Sequence, residues 1–277
     1  EASTLAAAQK IPIQLAQLSL RGRTANWREV ATLWPAIQSQ FEDLSPSRSS
    51  VYHQVSWAKM LIVFNQALAK ASKATPREIP SVPWITVAAQ LQKAAQQAQQ
   101  LVDVRAESHA VGLLGQVYEQ TQQWEIAQAQ TQRALRLAQG EADIAYRWQW
   151  QLGRILKSPM NPQRSFQKAI EAYDQAIVSL TRLRGDLAMG SDRTQFSFKK
   201  NVEPVYRQLV DLLLKTDPQA NNYQANLARA QDVIESLRLA ELDNYFKDAC
   251  SDIQPFDFSQ VDPAAAIVYS FLLDDRL

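Results

Sequence analysis

Two neighbouring stretches of this 277-residue chain repeat one spacing of small residues, and this repetition constrains the fold more than any other feature. Each stretch has a Leu-Gly pair followed by two alanines seven residues apart: Leu114-Gly115, Ala127 and Ala134 in the first, and Leu152-Gly153, Ala169 and Ala176 in the second. Seven residues are two helical turns, so each pair of alanines lies on one helix face. Small residues let two helices approach closely. The spacing therefore predicts a helical hairpin in each stretch.

The composition favours helices throughout the chain. Gly is scarce, with 7 residues, and the apolar fraction of 46% is large enough for a core. Weaker helical patterns flank the two clear stretches: Pro12–Leu20 with Trp27–Phe41, Val51–Ser72 with Val82–Val104, and Asn201–Lys215 with Asn221–Asp248. We therefore predict an all-α fold, an α-solenoid of about five helical hairpins.

Charge and residue content argue against several functional classes. The formal net charge is +1, which gives no general attraction to nucleic acid or to an anionic membrane. His53 and His109 are far apart and have no Cys at a metal-binding spacing, so we expect no metal or other cofactor. No apolar stretch approaches the roughly 18 residues that a membrane span needs.

The last part of the chain has a different character. Residues Ala264–Leu273 form a short apolar run that is partly β-branched and aromatic, and turn residues follow it. Such a run predicts a buried strand, and one strand cannot satisfy its own backbone hydrogen bonds. We therefore expect a short C-terminal extended segment, where the chain is cut just as a second, β-containing domain begins.

The two clear stretches resemble the tetratricopeptide (TPR) repeat, a 34-residue helix–turn–helix unit. The chain also resembles cyanobacterial TPR proteins that carry a CHAT domain, a caspase- and separase-like cysteine peptidase module. The resembling stretches are Trp148–Arg154, Ala169–Asp174, Gln195–Phe198, Val202–Arg207, Val233–Phe246 and the end from Val261 to Leu277. The resemblance divides the chain into degenerate TPR-like hairpins at 1–105, two clear repeats at 106–185, a helical hairpin at 186–249, and a linker with the first strand of a truncated CHAT-like domain at 250–277.

The resemblance implies that catalysis belongs to a part of the parent protein outside this chain. The CHAT catalytic dyad is a His, usually followed by Gly, and a Cys, and no residue here matches either. Cys250 precedes the predicted strand, and we interpret it as an inert, partly buried thiol. The chain itself is thus expected to be no enzyme, although its longer parent would be a cysteine peptidase.

The first helix of the second clear repeat carries the candidate site. Arg147, Trp150, Arg154 and Lys157 are spaced to share one helix face. In TPR arrays this face lines the concave groove, and the same rule places Gln116 and Glu119 there in the preceding repeat. A cationic stripe with a Trp could hold an acidic or C-terminal carboxylate peptide. The competing interpretation is a solvated helix face with the Trp tucked under the next helix.

Three functions stay open at this point. The first is a protein-binding scaffold that regulates the adjoining CHAT domain in cis, and we favour it. The second is an enzyme in its own right, and the third is a structural spacer between an upstream secretion or anchoring domain and the peptidase. The compartment is also open: we expect a soluble protein, cytoplasmic or exported as part of a larger chain.

Overall fold

A computed structural model describes residues 2–71, 79–189, 198–215, 219 and 221–246 of the protein. These residues form helices and turns, and no strand occurs among them, which confirms the all-α prediction. The helices are α1 (Ala2–Arg23), α2 (Trp27–Gln40), α3 (Arg48–Ala71), α4 (Trp84–Gln100), α5 (Val104–Gln120), α6 (Trp124–Leu137), α7 (Ala142–Lys157), α8 (Phe166–Met189), α9 (Phe198–Asn201), α10 (Glu203–Leu214) and α11 (Tyr223–Phe246).

The chain divides into two compact units, the first with helices α1 to α6 and the second with α7 to α11. In unit 1, α1 packs on α2, α3 on α4, and α5 on α6, while α4 also contacts α5. In unit 2, α7 packs on α8 and α10 on α11, while α8 also contacts α10. Consecutive helices of the described residues therefore form five hairpins, each unit is a helical-hairpin array, and the prediction of about five hairpins is confirmed for this part of the chain. The predicted functional division at 105, 185 and 249 stays a prediction.

The small residues that predicted the two clear hairpins lie where the paired helices meet. Ala127, Ala134, Ala169 and Ala176 are all 0% exposed. Gly153 is buried against the ring of Tyr173, and a Cβ atom at this position would lie 2.8 Å from two ring carbons. A larger residue would push α7 away from α8, so the small residue is a requirement of the crossing.

Three turns of unit 1 share one backbone geometry. Ala25, Val102 and Gln122 each have a φ between 55° and 59°, the left-handed region that non-glycine residues rarely adopt. The residue after each of them donates its backbone N–H to the carbonyl five residues earlier, as in Asn26 to Arg21 at 2.8 Å. This bond closes the end of a helix in the Schellman manner. The same device thus ends α1, α4 and α5.

The first helix is longer than the sequence pattern predicted. Helix α1 starts at Ala2 rather than at Pro12, and Pro12 lies inside it. Ile11 and Leu18, two turns apart, are both fully buried, so the apolar face continues past the proline. The packing of this face outweighs the one backbone hydrogen bond that Pro12 removes.

The glutamine-rich part of α4 contains a buried amide. The run from Gln90 to Gln100 fits the polar outer face of a helix, yet Gln90 is only 5% exposed. Its Nε2 donates to Gln54 Oε1 of α3 at 2.8 Å, and Gln54 Nε2 donates to Gln97 Oε1 at 2.7 Å. The alternation of Ala and Gln did not reveal this chain of amides, because its central member lies on another helix.

Two further predictions fall on other parts of the chain. The predicted strand Ala264–Leu273 and the thiol of Cys250 lie outside the described residues. Among the described helices, none is both long enough and apolar enough to cross a membrane.

Candidate functional site

The predicted cationic stripe lies along α7 of unit 2. This helix begins after Gly140, whose φ of 88° ends the preceding turn, and it stops before Pro159, which cannot continue a helix. The stripe residues are all half-buried: Arg147, Trp150, Arg154 and Lys157. Their spacing of three, seven and ten residues keeps them on one face.

Each cation of the stripe lies over an aromatic ring. The distances from the cation to the ring centroid are 5.4 Å for Arg147 over Tyr146, 4.9 Å for Arg154 over Trp150, and 5.5 Å for Lys157 Nζ over Tyr173. A cation attracted to a ring face is held in place. Arg147 Nε also donates to the backbone carbonyl of Asp143 at 3.4 Å. The rings thus help to hold the three cations in position along α7.

One side chain of α10 fixes two of these rings. Trp150 Nε1 donates a hydrogen bond to Gln208 Oε1 at 2.9 Å, and Tyr173 OH donates to the same oxygen at 2.9 Å. Trp150 also packs against the apolar core of unit 2, and Tyr173 is fully buried. Helices α7, α8 and α10 therefore meet at one amide oxygen, directly beneath the stripe.

Gly153 sets the position of the ring under Lys157. Lys157 follows Gly153 by four residues, one helical turn, on the same side of α7. Because a glycine lets the Tyr173 ring approach the α7 backbone, the ring lies close enough for the Lys157 ammonium to reach its face. Gly153 therefore allows both the close packing of α7 on α8 and the position of Lys157 over the Tyr173 ring.

Several carboxylates of unit 2 pair with cations outside the stripe. Three of these pairs join residues that are three or four apart in sequence: Glu203 with Arg207 at 2.6 Å, Asp211 with Lys215 at 2.8 Å, and Glu235 with Arg238 at 3.1 Å. Asp174 of α8 pairs with Arg229 of α11. Burial raises the pKa of Asp174, and the Arg229 contact opposes that rise. These four carboxylates of α8, α10 and α11 are thus engaged by cations outside the stripe.

The described residues offer no cluster of side chains suited to metal binding. They contain no group of three or more His, Cys, Asp or Glu side chains that could hold a metal ion. In unit 1, burial lowers the pKa of His53, and His109 packs edge-on against Tyr52 with ring centroids 6.3 Å apart. Burial likewise raises the pKa of the Tyr146 phenol in unit 2, although Arg147 opposes the shift.

The remaining predicted site residues belong to the other unit. Gln116 and Glu119 are half-buried on α5 of unit 1, whereas the stripe belongs to unit 2. We therefore describe the candidate site from unit 2 alone, and a groove role for Gln116 and Glu119 stays a prediction.

Sequence reasoning missed two members of the site. Tyr173 belongs to the resembling stretch Ala169–Asp174 but was not predicted as a site residue, and Gln208 was not predicted at all. Gln208 lies 58 residues after Trp150, and a single Gln on an amphipathic helix carries no signal of its partner. Only the pairing of α8 with α10 brings the two together.

Comparison with protein-family models finds no match for this chain, and comparison with curated proteins finds none either. The TPR and CHAT resemblances therefore rest on the quoted residues alone. The family-independent result is a helical-hairpin array with a row of ring-supported cations on α7.

Proposed function

We propose that this chain is a non-catalytic protein-binding scaffold, and that it forms the recognition part of a TPR protein with a CHAT-family cysteine peptidase domain. Sequential helical hairpins are the architecture that TPR repeats adopt, which supports the first half of the proposal. The second half rests on the resembling stretches, above all Glu235–Asn244 of α11.

The row of ring-supported cations on α7 is the observation that carries the binding proposal. A ligand that meets cations already held in position loses less conformational freedom in the complex. Arg147 and Arg154 would each engage a carboxylate through a planar fork of N–H donors, and Lys157 would add a third positive charge. The partner is therefore a protein segment rich in acidic side chains, or one that ends in a free carboxylate.

The spacing of the cations indicates the spacing of the ligand charges. From Arg147 to Arg154 the helix advances roughly 10 Å, at roughly 1.5 Å per residue. An extended peptide covers this distance in about three residues, at roughly 3.3 Å per residue. We expect the partner to present two acidic groups roughly 10 Å apart to Arg147 and Arg154.

In the parent protein, binding would act on the adjoining peptidase domain in cis. A rigid array can present a bound segment to a neighbouring domain, or it can hold that domain inactive until a partner binds. The intact mass of the natural polypeptide tests this part of the proposal. We expect a mass far above 31.2 kDa, with a His-Gly and a Cys in the additional C-terminal sequence. A natural chain that ends near Leu277 would contradict the link to a peptidase.

Fluorescence anisotropy with a labelled oligoglutamate peptide of eight residues tests the binding site. We expect Arg147→Glu and Arg154→Glu each to weaken binding by about tenfold or more, since a charge-assisted hydrogen bond contributes about 1.5–3 kcal/mol. Added salt should weaken the wild-type complex, because the Debye length falls to about 3 Å at 1 M. Arg182→Glu is the matched control, because Arg182 is an exposed cation of α8 outside the stripe.

A single observation favours the spacer as the second candidate. The indole N–H of Trp150 is engaged by Gln208, so this side chain serves the packing of unit 2 as well. If Arg147→Glu, Arg154→Glu and Arg182→Glu all bind the peptide like the wild type, the stripe is not a binding site. The spacer would then be the better interpretation, and peptidase function in the parent protein should survive deletion of the repeats.

A further inference from the structure

The amide group of Gln208 lies between the two rings that carry Arg154 and Lys157. Its Oε1 accepts one hydrogen bond from Trp150 Nε1 and one from Tyr173 OH, each 2.9 Å long. An indole N–H can only donate, so the amide atom facing it must be the oxygen. The contacts therefore fix the orientation of the amide group, which in an isolated glutamine is ambiguous.

This orientation leaves the two N–H donors of Gln208 on the other side of the amide. Within the described part of the chain, Gln208 Nε2 makes no hydrogen bond. The side chain is half-buried, so water reaches it only in part. A partly desolvated donor gains stability when a ligand supplies an acceptor.

We propose that Gln208 is a ligand-binding residue, which donates from Nε2 to a main-chain carbonyl oxygen of an extended acidic peptide bound along α7. The inference rests on the proposed function. It adds a main-chain carbonyl to the carboxylates as a ligand group that the site recognises. In an extended peptide, main-chain carbonyls alternate with side chains along the segment. Arg154 and Lys157 engage the carboxylates, and the neutral amide of Gln208 engages the neutral carbonyl between them. A polyanion without peptide groups can pair with Arg154 and Lys157 but offers no main-chain carbonyl to Gln208.

The experiment compares two probes that carry the same kind of charge. One is the oligoglutamate peptide of eight residues, and the other is a short poly(acrylic acid), which has carboxylates but no amide carbonyls. The variant Gln208→Met removes the amide without adding a charge. We expect it to weaken the peptide roughly fivefold, the size of one neutral hydrogen bond, and to change poly(acrylic acid) binding by less than about twofold. Poly(acrylic acid) thus also reports whether the cations have moved.

Nuclear magnetic resonance gives a second readout on the wild-type protein labelled with ¹⁵N. The side-chain NH₂ signals of Gln208 should shift as the oligoglutamate peptide is added and should not shift with poly(acrylic acid). The variant Gln208→Glu keeps both acceptor contacts but has no donor. In the unbound protein the Trp150 indole N–H should therefore stay hydrogen-bonded and protected from hydrogen exchange.

Four outcomes would overturn the inference. If Gln208→Met weakens both probes equally, Gln208 acts only by positioning the rings. If the NH₂ signals stay unchanged when the peptide saturates the protein, Gln208 does not touch the ligand. Both results leave the proposed function intact. If the Trp150 indole N–H is unprotected from hydrogen exchange in Gln208→Glu, the assigned amide orientation is wrong. If the wild type binds neither probe, the proposed binding function fails together with this inference.

Discussion

The α5–α6 and α7–α8 hairpins follow one sequence pattern, yet different contacts hold them together. In the α5–α6 hairpin, Ser108 Oγ donates to the backbone carbonyl of Ala134 at 2.9 Å, and Glu107 pairs with Arg133 at 2.5 Å. In the α7–α8 hairpin, the ring of Tyr173 packs directly on the Gly153 backbone. The shared spacing of small residues thus specifies how the two helices of each hairpin cross. The side-chain contacts between the helices differ from one hairpin to the other.

The connections within the two hairpins differ as well. Residues 121–123 join α5 to α6, and Gln122 adopts a left-handed conformation with a φ of 59°. Residues 158–165 join α7 to α8, and the backbone N–H of Ser165 returns to the carbonyl of Leu156 at 3.0 Å. No left-handed residue occurs in this second connection, all of which is described. The α7–α8 hairpin therefore relies more on its helix crossing than on its turn, and three substitutions test this difference.

The largest effect is expected at the crossing of α7 and α8. Gly153→Ala places a methyl group against a fully buried ring, and we expect it to destabilise unit 2 by about 1–3 kcal/mol. Native-state hydrogen exchange read helix by helix should show faster exchange in α7 and α8, with α5 and α6 unchanged. Against a Tyr173→Leu background the same substitution should cost less, because the ring is gone. Equal costs in both backgrounds would show that the ring contact is not the cause.

A smaller effect is expected in the α5–α6 hairpin. Ser108→Ala removes a buried hydroxyl that bonds the Ala134 carbonyl, and we expect a loss of about 1 kcal/mol. The loss should appear as faster exchange in α5 and α6 only. Thr121→Ala is a suitable control, because the Thr121 hydroxyl donates to carbonyls in the last turn of α5 and accepts from Gln123 in the turn, without bonding a carbonyl of α6. If both substitutions cost the same, the contact between the helices has no special weight.

The smallest effect has the opposite sign. Gln122→Gly relieves the left-handed strain of the α5–α6 turn, which for most residues costs roughly 1–2 kcal/mol, and part of this gain is lost to the greater freedom of glycine in the unfolded chain. We expect a net stabilisation of about 0.5–1 kcal/mol in urea unfolding. Gln123→Gly is the matched control, since Gln123 has a φ of −86° and carries no such strain. Stabilisation by both variants would contradict this explanation.

These comparisons also show how far sequence reasoning reached. The alanine spacing predicted the two clear hairpins because small residues at a helix crossing leave a periodic signal. The stripe on α7 followed from helical periodicity in the same way. The contacts that hold the cations in place could not be predicted from periodicity, because Tyr173 lies on α8 and Gln208 lies on α10. Likewise, Gln90 looked like a surface residue until α3 placed Gln54 beside it.

The amide chain of Gln54, Gln90 and Gln97 has a consequence for how the array assembles. In a protein built from similar hairpins, the apolar face of one helix can pair with several others at little cost. A buried amide is satisfied only where its partner stands at the correct height, and any other pairing leaves it without hydrogen bonds at a cost of about 1–3 kcal/mol. The hydrogen bonds among the three glutamines therefore favour the native pairing of α3 with α4 over other helix pairings. They discriminate against the mispaired and swapped arrangements that repetitive chains are prone to form.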